Sequence, residues 1–429
     1  MKQPHIVIIG AGFAGMSAAR TFRRHDVRVT LIDRNNYYTF QPLLYQVATA
    51  LLEADDVARS VRASLRGQRN ARFLQADVSG VDHDSKEVLL ADGSRVAFDW
   101  LINCAGSRYN HFGVPGVPEH AFFLKTLTEA VNLRSHILSC FERASRDGAA
   151  APPGLLEFVI VGGGPTGVEL AGSLVELFGR VLPKDFPEVD TGAVRVHLVE
   201  AQDSILTAYP PRLRRYAANV LKKRGVQLHL DTQLAAVTAE GARTADGQQL
   251  ASRTIVWAAG IRASSLAPAM DSPLGRGQRL ELNADLSLPE RPWAFAAGDI
   301  AGQLGDEGPA HPQVGQVAIQ QGRFAARQIL ARLGRGRARP EFRYSDRGNM
   351  AIIGRNAAIA ELSPRLGGLR LTGFPGFIAW LFIHLLYLPG HRNRFGALVN
   401  WAIHYFTFDR HARLITEMVP GKGDCENRN

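Results

Sequence analysis

The chain has 429 residues, enough for two or three domains, and its 46% hydrophobic content is ample for buried cores. Its net charge of +10 fits a solvated basic surface, an anionic membrane face or another polyanion as partner. Three widely spaced cysteines, Cys104, Cys140 and Cys425, form no C-x-x-C pair, so we expect no disulfide framework and no metal site. The first predicted strand begins by His5, so we expect no signal peptide and a cytosolic origin.

The first predicted strand runs directly into a glycine-rich turn and a helix. Residues 6–15 read Ile-Val-Ile-Ile-Gly-Ala-Gly-Phe-Ala-Gly, a G-x-G-x-x-G motif. Glycine permits the tight turn, and a diphosphate can then lie on the free N–H groups of the helix N-terminus. A second strand ends at Asp33, at the spacing of an acid that binds an adenosine ribose.

The same pattern occurs a second time. Residues 158–167 read Phe-Val-Ile-Val-Gly-Gly-Gly-Pro-Thr-Gly, and the next strand, 196–200, again ends in an acid, Glu200. The downstream turns Asp92-Gly93 and Asp246-Gly247 match as well. One such motif could be a coincidental glycine-rich turn, but two in matching context predict two dinucleotide sites.

A third segment indicates which nucleotide each site binds. Phe295–Ile300 contains Gly298-Asp299 after an apolar strand, and such an Asp can bind the ribityl chain of a flavin. This assigns FAD to the first motif and a nicotinamide nucleotide to the second. Glu200 would repel a 2′-phosphate, and residues 201–204 offer no Arg to accept one, which favours NADH over NADPH.

The remaining elements follow in chain order. The pattern predicts a β-meander from Arg72–Val78, Val88–Ala91 and Arg95–Trp100, a helix over Thr126–Arg143 and an exposed loop over Asp147–Gly154. It further predicts a helix starting near Pro312 and a basic linker over 334–340.

Together these elements predict an α/β fold with two Rossmann-like dinucleotide-binding domains and a C-terminal membrane-anchoring helical unit. The predicted limits are 1–115 and 262–333 for the FAD-binding domain, 116–261 for the NADH-binding domain and 334–429 for the C-terminal unit. No recognised nucleic-acid motif occurs, so we expect no nucleic-acid partner.

The C-terminal unit contains an apolar stretch without charge. No Asp, Glu, Lys or Arg occurs between Arg370 and Arg392, and a helix over Phe377–Leu388 would be only ~20 Å long, short of a ~30 Å hydrocarbon core. A second helix is predicted over Phe395–Phe408, with Asn400, His404 and Thr407 on the face opposite Trp401. Short apolar helices with Trp, Tyr and flanking Arg are typical of a monotopic anchor, here over 374–408. A buried core or homodimer helix pair is the alternative.

With these residues in view, the sequence closely resembles the type II NADH:quinone oxidoreductases over essentially the whole chain. The family-like segments beyond the glycine motifs are Phe40–Thr49, Trp257–Ser264, Ala297–Ala301, Gly315–Gly322 and Gly348–Arg355. One departure is Gly315, where the family usually has Ala. The resemblance implies non-covalent FAD, NADH as substrate, a membrane quinone as acceptor and a place in the respiratory chain at the cytoplasmic face of the inner membrane, as a monotopic peripheral protein.

The resemblance also implies roles for particular residues. Gln316 and Gln320 lie four apart on one helix, so both amides face the same way, toward the quinone; a solvated pair is the alternative. Glu169 is expected to position the nicotinamide and relay a proton, although a carboxylate in a first helical turn is favoured by the dipole anyway. The predicted FAD-binding residues are Gly10, Ala11, Gly12, Phe13, Ala14, Gly15, Asp33, Arg34, Pro42, Gly106, Gly298, Asp299, Ala318 and Ile319. The predicted NADH-binding residues are Gly162, Gly163, Gly164, Pro165, Thr166, Gly167, Glu200 and Gly260.

Related classes fit less well. Disulfide reductases and sulfide:quinone oxidoreductases need cysteines near the flavin, whereas residues 34–60 contain none and Cys104 lies on an apolar strand. A ferredoxin or rubredoxin reductase would suit the basic surface but leaves Phe377–Leu388 unexplained. A nucleic-acid-recruiting redox sensor would need a basic cluster, and the basic residues are dispersed. No charged residue lies in a membrane-length segment, so we expect no proton pumping. The native quinone, the oligomeric state (a homodimer included) and slow use of NADPH stay open.

Overall fold

A computed structural model describes residues 3–302 and 311–416, so Cys425 lies outside the described residues. Counted over the described part of the chain, the contacts define two compact units. Unit 1 comprises Met1–Tyr38, Arg59–Tyr109 and Ile261–Asp346. Unit 2 comprises Thr39–Ala58, Asn110–Gly260 and Arg347–Asn429.

The strands and helices are numbered in chain order. The strands are β1 His5–Ile9, β2 Arg28–Asp33, β3 Tyr37–Thr39, β4 Ala58–Ser60, β5 Ala71–Gln75, β6 Val78–Asp82, β7 Glu87–Leu90, β8 Arg95–Ala97, β9 Trp100–Asn103, β10 Ser107–Tyr109, β11 Ala121–Phe122, β12 Glu157–Val161, β13 Arg195–Val199, β14 Val226–His229, β15 Leu234–Thr238, β16 Gly241–Thr244, β17 Gln249–Ala251, β18 Thr254–Trp257, β19 Ile261–Ala263, β20 Ser287–Leu288, β21 Arg291–Ala296, β22 Gly348–Gly354, β23 Ala357–Leu362 and β24 Arg370–Thr372. The α-helices are α1 Phe13–Thr21, α2 Leu44–Ala48, α3 Ala54–Val57, α4 Val61–Leu65, α5 Val117–His120, α6 Leu127–Asp147, α7 Pro165–Glu176, α8 Leu182–Asp185, α9 Pro211–Lys223, α10 Gly315–Arg332, α11 Gly373–Tyr387 and α12 His391–Thr407.

Unit 1 is built on a sheet with strand order β20–β21–β9–β1–β2–β5, in which only the β20–β21 pair is antiparallel. β1 lies between β2 and β9 and is buried along its whole length, which explains its run of Ile and Val. Because parallel strands end at one edge, the turn after β1, the acid of β2 and the loop after β21 meet there. α10 begins at Gly315, three residues after the predicted start at Pro312.

The predicted meander is partly wrong. Arg72–Gln75 belongs to β5, which extends the parallel sheet beside β2, and the meander consists of β6, β7 and β8. Phe73 is buried in the core of unit 1, and this burial ties β5 to the sheet. Only Ala76 and Asp77 separate β5 from β6, so the sequence pattern runs on across the break.

Unit 2 repeats the plan of unit 1, as the duplicated motifs predicted. Its parallel sheet has the order β11–β18–β12–β13–β14, and β15, β16 and β17 form an antiparallel meander. The predicted helix at Thr126 is confirmed as α6, which starts from a capping box of Thr126 and Glu129 and continues to Asp147. The helix therefore covers the first residue of the loop predicted over Asp147–Gly154.

The C-terminal residues contain a sheet that the sequence pattern did not predict, an antiparallel arrangement of β22, β23 and β24. Residues from Arg347 onward group with unit 2, whereas we predicted a separate unit over 334–429. The two apolar helices are confirmed as α11 and α12, but the buried face of α12 carries Trp401 and His404 together. Over 3–302 and 311–416, no helix combines the length and apolar character needed to cross a bilayer.

Candidate active site

The first glycine turn in unit 1 leaves space for a phosphate group. Gly10 adopts φ +92°, and a Cβ there would lie 2.3 Å from the Cys104 carbonyl oxygen, so the turn requires glycine. Gly15 packs against the Gly10 carbonyl, which closes α1 onto β1. A Cβ at Gly12 would meet nothing within 4 Å, and Gly12 is the N-cap of α1 without a side-chain cap. The open N-terminus fits the diphosphate of FAD.

Asp33 lies beside this turn at the end of β2. Its carboxylate accepts hydrogen bonds from the Ala11 N–H at 2.6 Å and the Asn35 N–H at 2.8 Å. Burial raises its pKa, and these two backbone donors partly offset the rise. A carboxylate has about four acceptor sites, so it retains capacity for a ribose hydroxyl. The predicted neighbour Arg34 is exposed and lies 3.8 Å from Asp77.

The loop after β21 is fixed by side chains that the sequence pattern did not single out. Gln321 accepts a hydrogen bond from the Gly298 N–H at 2.8 Å, and Ser107 donates to the Asp299 carboxylate at 2.5 Å. Gln313 donates to the Asp299 carbonyl at 2.9 Å. These contacts place Gly298 and Asp299 at the carboxyl edge of the sheet. The sequence could have indicated both side chains, because Ser107 directly follows Gly106 and Gln321 lies within the glutamine motif.

α10 packs directly on α1, and the close approach explains two glycines. A Cβ at Gly322 would lie 2.2 Å from the Ala14 carbonyl oxygen, so the two helices cross backbone to backbone. A Cβ at Gly315 would lie 3.3 Å from the Phe13 ring, which accounts for glycine where the family usually has Ala. The predicted flavin contacts Ala318 and Ile319 follow in the first turns of this helix, whose N-terminus has no side-chain cap.

The two predicted glutamines of α10 have different surroundings. The Gln320 amide donates to the Ser345 carbonyl at 2.9 Å and accepts from the Ser345 N–H at 3.0 Å, so both ends of the amide bind backbone. Gln316 is half-buried one turn earlier. Gln320 therefore holds Ser345 against α10, a partner that its spacing from Gln316 could not indicate.

The second glycine turn, in unit 2, reproduces the first. Gly162 has φ +111°, and a Cβ there would lie 2.8 Å from the Ala259 nitrogen. Gly164 is the N-cap of α7, with open space around its missing Cβ, and Gly167 packs on the Gly162 carbonyl. Pro165 and Thr166 open the helix, both exposed.

Glu200, at the end of the second strand of this half, occupies the position that Asp33 has in unit 1. Its carboxylate accepts hydrogen bonds from the Gly163 N–H at 2.6 Å and the Gln202 N–H at 2.9 Å. The arrangement fits a second dinucleotide.

Three further residues predicted to contact a nucleotide, Gly260, Gly106 and Pro42, lie outside the two glycine turns. Gly260 has φ +65°, and a Cβ there would lie 2.3 Å from the Phe112 ring, so Phe112 covers it. Gly106 also adopts a positive φ, with open space around it. Pro42 is exposed in a 3₁₀ turn over Gln41–Leu43, within unit 2, although it was predicted to bind FAD with the residues of unit 1.

Glu169 lies in α7 and is buried. The Ile352 N–H of β22 donates to its carboxyl at 3.3 Å. Burial raises the Glu169 pKa to about 8, and the Ile352 N–H and the Trp380 indole lower it only in part. That indole N–H has no hydrogen bond of normal length to a described residue. The carboxyl is therefore protonated at neutral pH.

The buried environment of Glu169 depends on Gly172, which allows α7 to approach β22 closely. A Cβ at Gly172 would lie 2.3 Å from the Ile353 carbonyl oxygen. With hydrogen in that position, the Ile352 N–H, one residue away, reaches Glu169 one helical turn earlier. α11 contributes Trp380, which stacks on His384 with 4.0 Å between ring centroids.

The fold and the two glycine turns, each with its acid, define a class of flavoprotein. Residues 4–322 match the family model described as pyridine nucleotide-disulphide oxidoreductase. The solved structure of NDH2 from Plasmodium falciparum in complex with NADH has a TM-score of 0.85 at 17% identity, covering 97% of this chain and 100% of that chain. This likeness confirms the predicted fold.

Sequence similarity defines the family more closely. The type II NADH:quinone oxidoreductase Ndh of Mycobacterium tuberculosis is 35% identical, over 97% of this chain and 91% of that protein. The internal alternative NAD(P)H-ubiquinone oxidoreductase A1 of Arabidopsis thaliana mitochondria is 29% identical, over 95% and 85%. The chain belongs to the type II NADH:quinone oxidoreductases, FAD-dependent NADH dehydrogenases of the respiratory chain that do not pump protons. The predictions of family, enzyme class and cofactors are confirmed.

The two cysteines within the described residues are not placed for thiol chemistry. Cys104 and Cys140 are both free and buried. Burial raises the pKa of both thiols, that of Cys140 to about 11. Since the thiolate is the reactive form of cysteine, both residues are core side chains.

Proposed function

We propose that Glu169 supplies a proton to a membrane quinone while the chain oxidises NADH. The observation that carries this proposal is the buried Glu169 carboxyl, whose pKa of about 8 keeps it protonated at neutral pH. The flavin, when bound, accepts a hydride from NADH and delivers two electrons to the quinone. The quinone also takes up two protons, one that leaves the flavin as it is reoxidised and one from the Glu169 carboxyl, which then regains a proton from solvent. The net reaction consumes NADH, one proton and the quinone and yields NAD⁺ and the quinol.

The two glutamines of α10 have separate roles in this proposal. Gln316 faces the quinone, in the first turn of a helix whose N-terminus can stabilise negative charge. Gln320 is a positioning residue, because its amide is bonded at both ends to Ser345. Ala318 and Ile319 present α10 to the flavin ring.

Each nucleotide is assigned to one unit. FAD binds along Gly10–Gly15 with its ribose at Asp33 and its ribityl chain at Asp299, and NADH binds along Gly162–Gly167 with its ribose at Glu200. The Glu200 carboxylate, held by two backbone N–H groups, would repel the 2′-phosphate of NADPH. We therefore expect NADPH to be the poorer substrate.

The apolar outer faces of α11 and α12 support attachment to a membrane. Phe374, Ile378, Phe382 and Leu386 recur every four residues along α11, and all are exposed. On α12, Phe395, Leu398, Ile403 and Phe406 are exposed, with Phe406 at 80%.

Two polar side chains of α12 make contacts within unit 2. His404 is buried against Glu176, and Asn400 donates to Asp56 at 2.8 Å. A helix that is held on its inner face and apolar on its outer face fits insertion into a lipid interface. We propose the cytoplasmic face of the cell membrane, because Arg370, Arg392 and Arg394 flank the helices.

Vesicle binding tests the membrane proposal. The double variant Phe382→Ser/Phe406→Ser should lose most of its binding to liposomes, since each buried aromatic side chain contributes about 1.5–3 kcal/mol. Phe112→Ser removes an exposed aromatic side chain outside α11 and α12 and should bind as the wild type does. Unchanged liposome binding of the double variant, together with a change from dimer to monomer, would assign the face to a homodimer instead.

Steady-state kinetics tests the reaction. NADH oxidation should depend on an added ubiquinone or menaquinone analogue, with NADPH about tenfold slower or more. Glu200→Gln should narrow that difference while leaving quinone affinity unchanged. NADPH and NADH used equally well by the wild type would remove Glu200 from nucleotide selection.

A further inference from the structure

Unit 1 contains an open groove of about 580 Å³ between α1, α10 and the residues that follow α10. Half of the residues that line it are arginines: Arg20, Arg323, Arg327, Arg335 and Arg337. The other lining residues are Ser17, Thr21, His25, Leu330 and Gly336. Of the described residues lining this groove, none is acidic.

Most of these guanidinium groups have no counter-charge among the described residues. Arg335 alone lies near an acid, 3.7 Å from the Asp26 carboxylate. The guanidinium groups of Arg20, Arg323 and Arg327 make neither a hydrogen bond nor an ion pair within 3–302 and 311–416. By contrast Arg332, near the end of the same helix, binds Asp285 at 2.6 Å. The groove therefore brings several arginines together without a counter-charge.

The unpaired arginines repel one another. Arg323 and Arg327 are four residues apart, so they share one face of α10. Burial lowers the pKa of Arg20, and the cations of Arg59 and Arg323 lower it further. Arg20 lies in the last turn of α1, where the helix dipole favours a cation, but Arg323 lies in the middle of α10, where it does not. A bound anion would relieve this repulsion.

The lining also indicates the chemistry of the anion. Guanidinium groups bind phosphate oxygens with paired hydrogen bonds, and Ser17 and Thr21 add hydroxyl donors. No Phe, Tyr or Trp side chain lines the described groove, and the His25 imidazole is the one ring in its lining, so it offers little stacking surface for the successive bases of a nucleic acid. Its one large apolar side chain, Leu330, is buried, which leaves nothing for a lipid tail. The volume is that of a small-molecule site.

We propose that this groove binds a soluble oligophosphate, either inorganic or the triphosphate part of a nucleotide. The groove is lined by residues that follow the first glycine turn, from Ser17 onward, and by none of Gly10–Gly15 or Gly162–Gly167. The proposal does not depend on the proposed quinone reduction. Three or more linked phosphates would span several of the five arginines at once, whereas orthophosphate would meet only one or two.

Calorimetric titration of the flavin-loaded full chain tests this assignment. At constant ionic strength, tripolyphosphate should bind with one site per chain and about tenfold or more tighter than orthophosphate. Arg323→Gln/Arg327→Gln should weaken that binding about tenfold or more. Arg212→Gln/Arg215→Gln removes the same charge from exposed positions on α9 and should bind as the wild type does. Thermal unfolding of both variants confirms that they are folded.

The ligands and variants separate the outcomes. ATP binding as tightly as tripolyphosphate supports the nucleotide source, and weaker ATP binding supports the inorganic one. If the α9 variant weakened tripolyphosphate binding as much as the groove variant, the effect would come from net charge alone and the proposal would be overturned. Wild-type affinity for orthophosphate equal to that for tripolyphosphate would overturn it as well. Loss of anionic-vesicle or oligonucleotide binding in the groove variant, without tripolyphosphate binding in the wild type, would assign the groove to a membrane or nucleic acid.

Discussion

Two buried carboxyls on one helix have opposite electrostatic environments. Glu169 and Glu176 lie seven residues apart on the same face of α7. Each accepts a backbone hydrogen bond, from the Ile352 N–H at 3.3 Å and the Arg355 N–H at 3.2 Å respectively. The two residues thus share the same helix, both are buried, and each accepts one backbone hydrogen bond.

They differ in their charged partners. Glu176 bonds to His404 at 2.6 Å and lies 3.8 Å from the buried Arg410. Burial would raise its pKa, but His404, Arg410 and the Arg355 N–H lower it to about 2. Glu169 has no cationic partner among the described residues, and its pKa rises to about 8. Both carboxyls are buried, but one is protonated at neutral pH and the other forms an ion pair, and the difference lies in the partners.

The largest predicted effect comes from breaking the Glu176 ion pair. Glu176→Gln leaves the Arg410 guanidinium buried without its counter-charge, which should cost about 3–5 kcal/mol in urea unfolding. The wild type should lose the Glu176 contribution as pH falls from about 4.5 to about 2, because its folded pKa lies below the unfolded value. The variant should lack that acid slope. Glu142→Gln on the exposed face of α6 is the control, and an equal loss there would refute the ion-pair account.

Glu169→Gln should instead reduce catalysis. Turnover with quinone should fall about 100-fold, the loss expected when a general acid is removed. Because the folded pKa of Glu169 lies above its unfolded value, the wild type loses stability as pH rises from about 4.5 to about 8. The Gln variant should escape this loss, so it should gain in relative stability toward alkaline pH. Turnover and stability that both match the wild type across this range would remove Glu169 from the mechanism.

Gly172→Ala tests the packing that creates the Glu169 environment. The added methyl would meet the Ile353 carbonyl, and the resulting separation of α7 from β22 should cost about 1–3 kcal/mol. The loss of the Ile352 hydrogen bond should raise the pKa of Glu169 further. Gly179→Ala is the matched control, since a Cβ there would meet nothing within 4 Å. Equal melting temperatures for the two variants would show that the helix and strand are not in close contact.

The smallest predicted effect concerns the indole of Trp380. Trp380→Phe removes a group that lowers the Glu169 pKa, so the alkaline limb of the pH–rate profile should move up by less than about one unit. Trp401→Phe removes an indole that donates to Gln46 at 2.7 Å, and should leave that limb in place. A shift to lower pH in the Trp380 variant would contradict the assignment.

The sequence predicted much of this fold because its signals are local. Each glycine turn, at Gly10 and at Gly162, is followed by a strand that leads to an acid, Asp33 or Glu200, and the structure shows the same hydrogen bond from the turn to each acid. The break between β5 and β6 carries no local signal, because it depends on the burial of Phe73 against the rest of the sheet.

The sequence indicated which residues to consider at the site, but it did not indicate what surrounds them in the fold. Gln320 stood out by its spacing from Gln316, yet its partner Ser345 lies 25 residues away. Glu169 and Glu176 differ through partners that lie between Ile352 and Arg410, far along the chain, so no sequence window could separate them. The sequence pattern also placed Trp401 and His404 on opposite faces of α12, whereas both are buried, together with Ala397.

Infrared difference spectroscopy of the folded, flavin-loaded protein would measure the protonation state of Glu169 directly. The structure predicts a carboxylic acid C=O band at neutral pH that titrates near pH 8. The band should vanish in Glu169→Gln and persist in Glu176→Gln. A band that survives Glu169→Gln, or no carboxylic acid band at neutral pH, would contradict the account of Glu169 as a protonated donor.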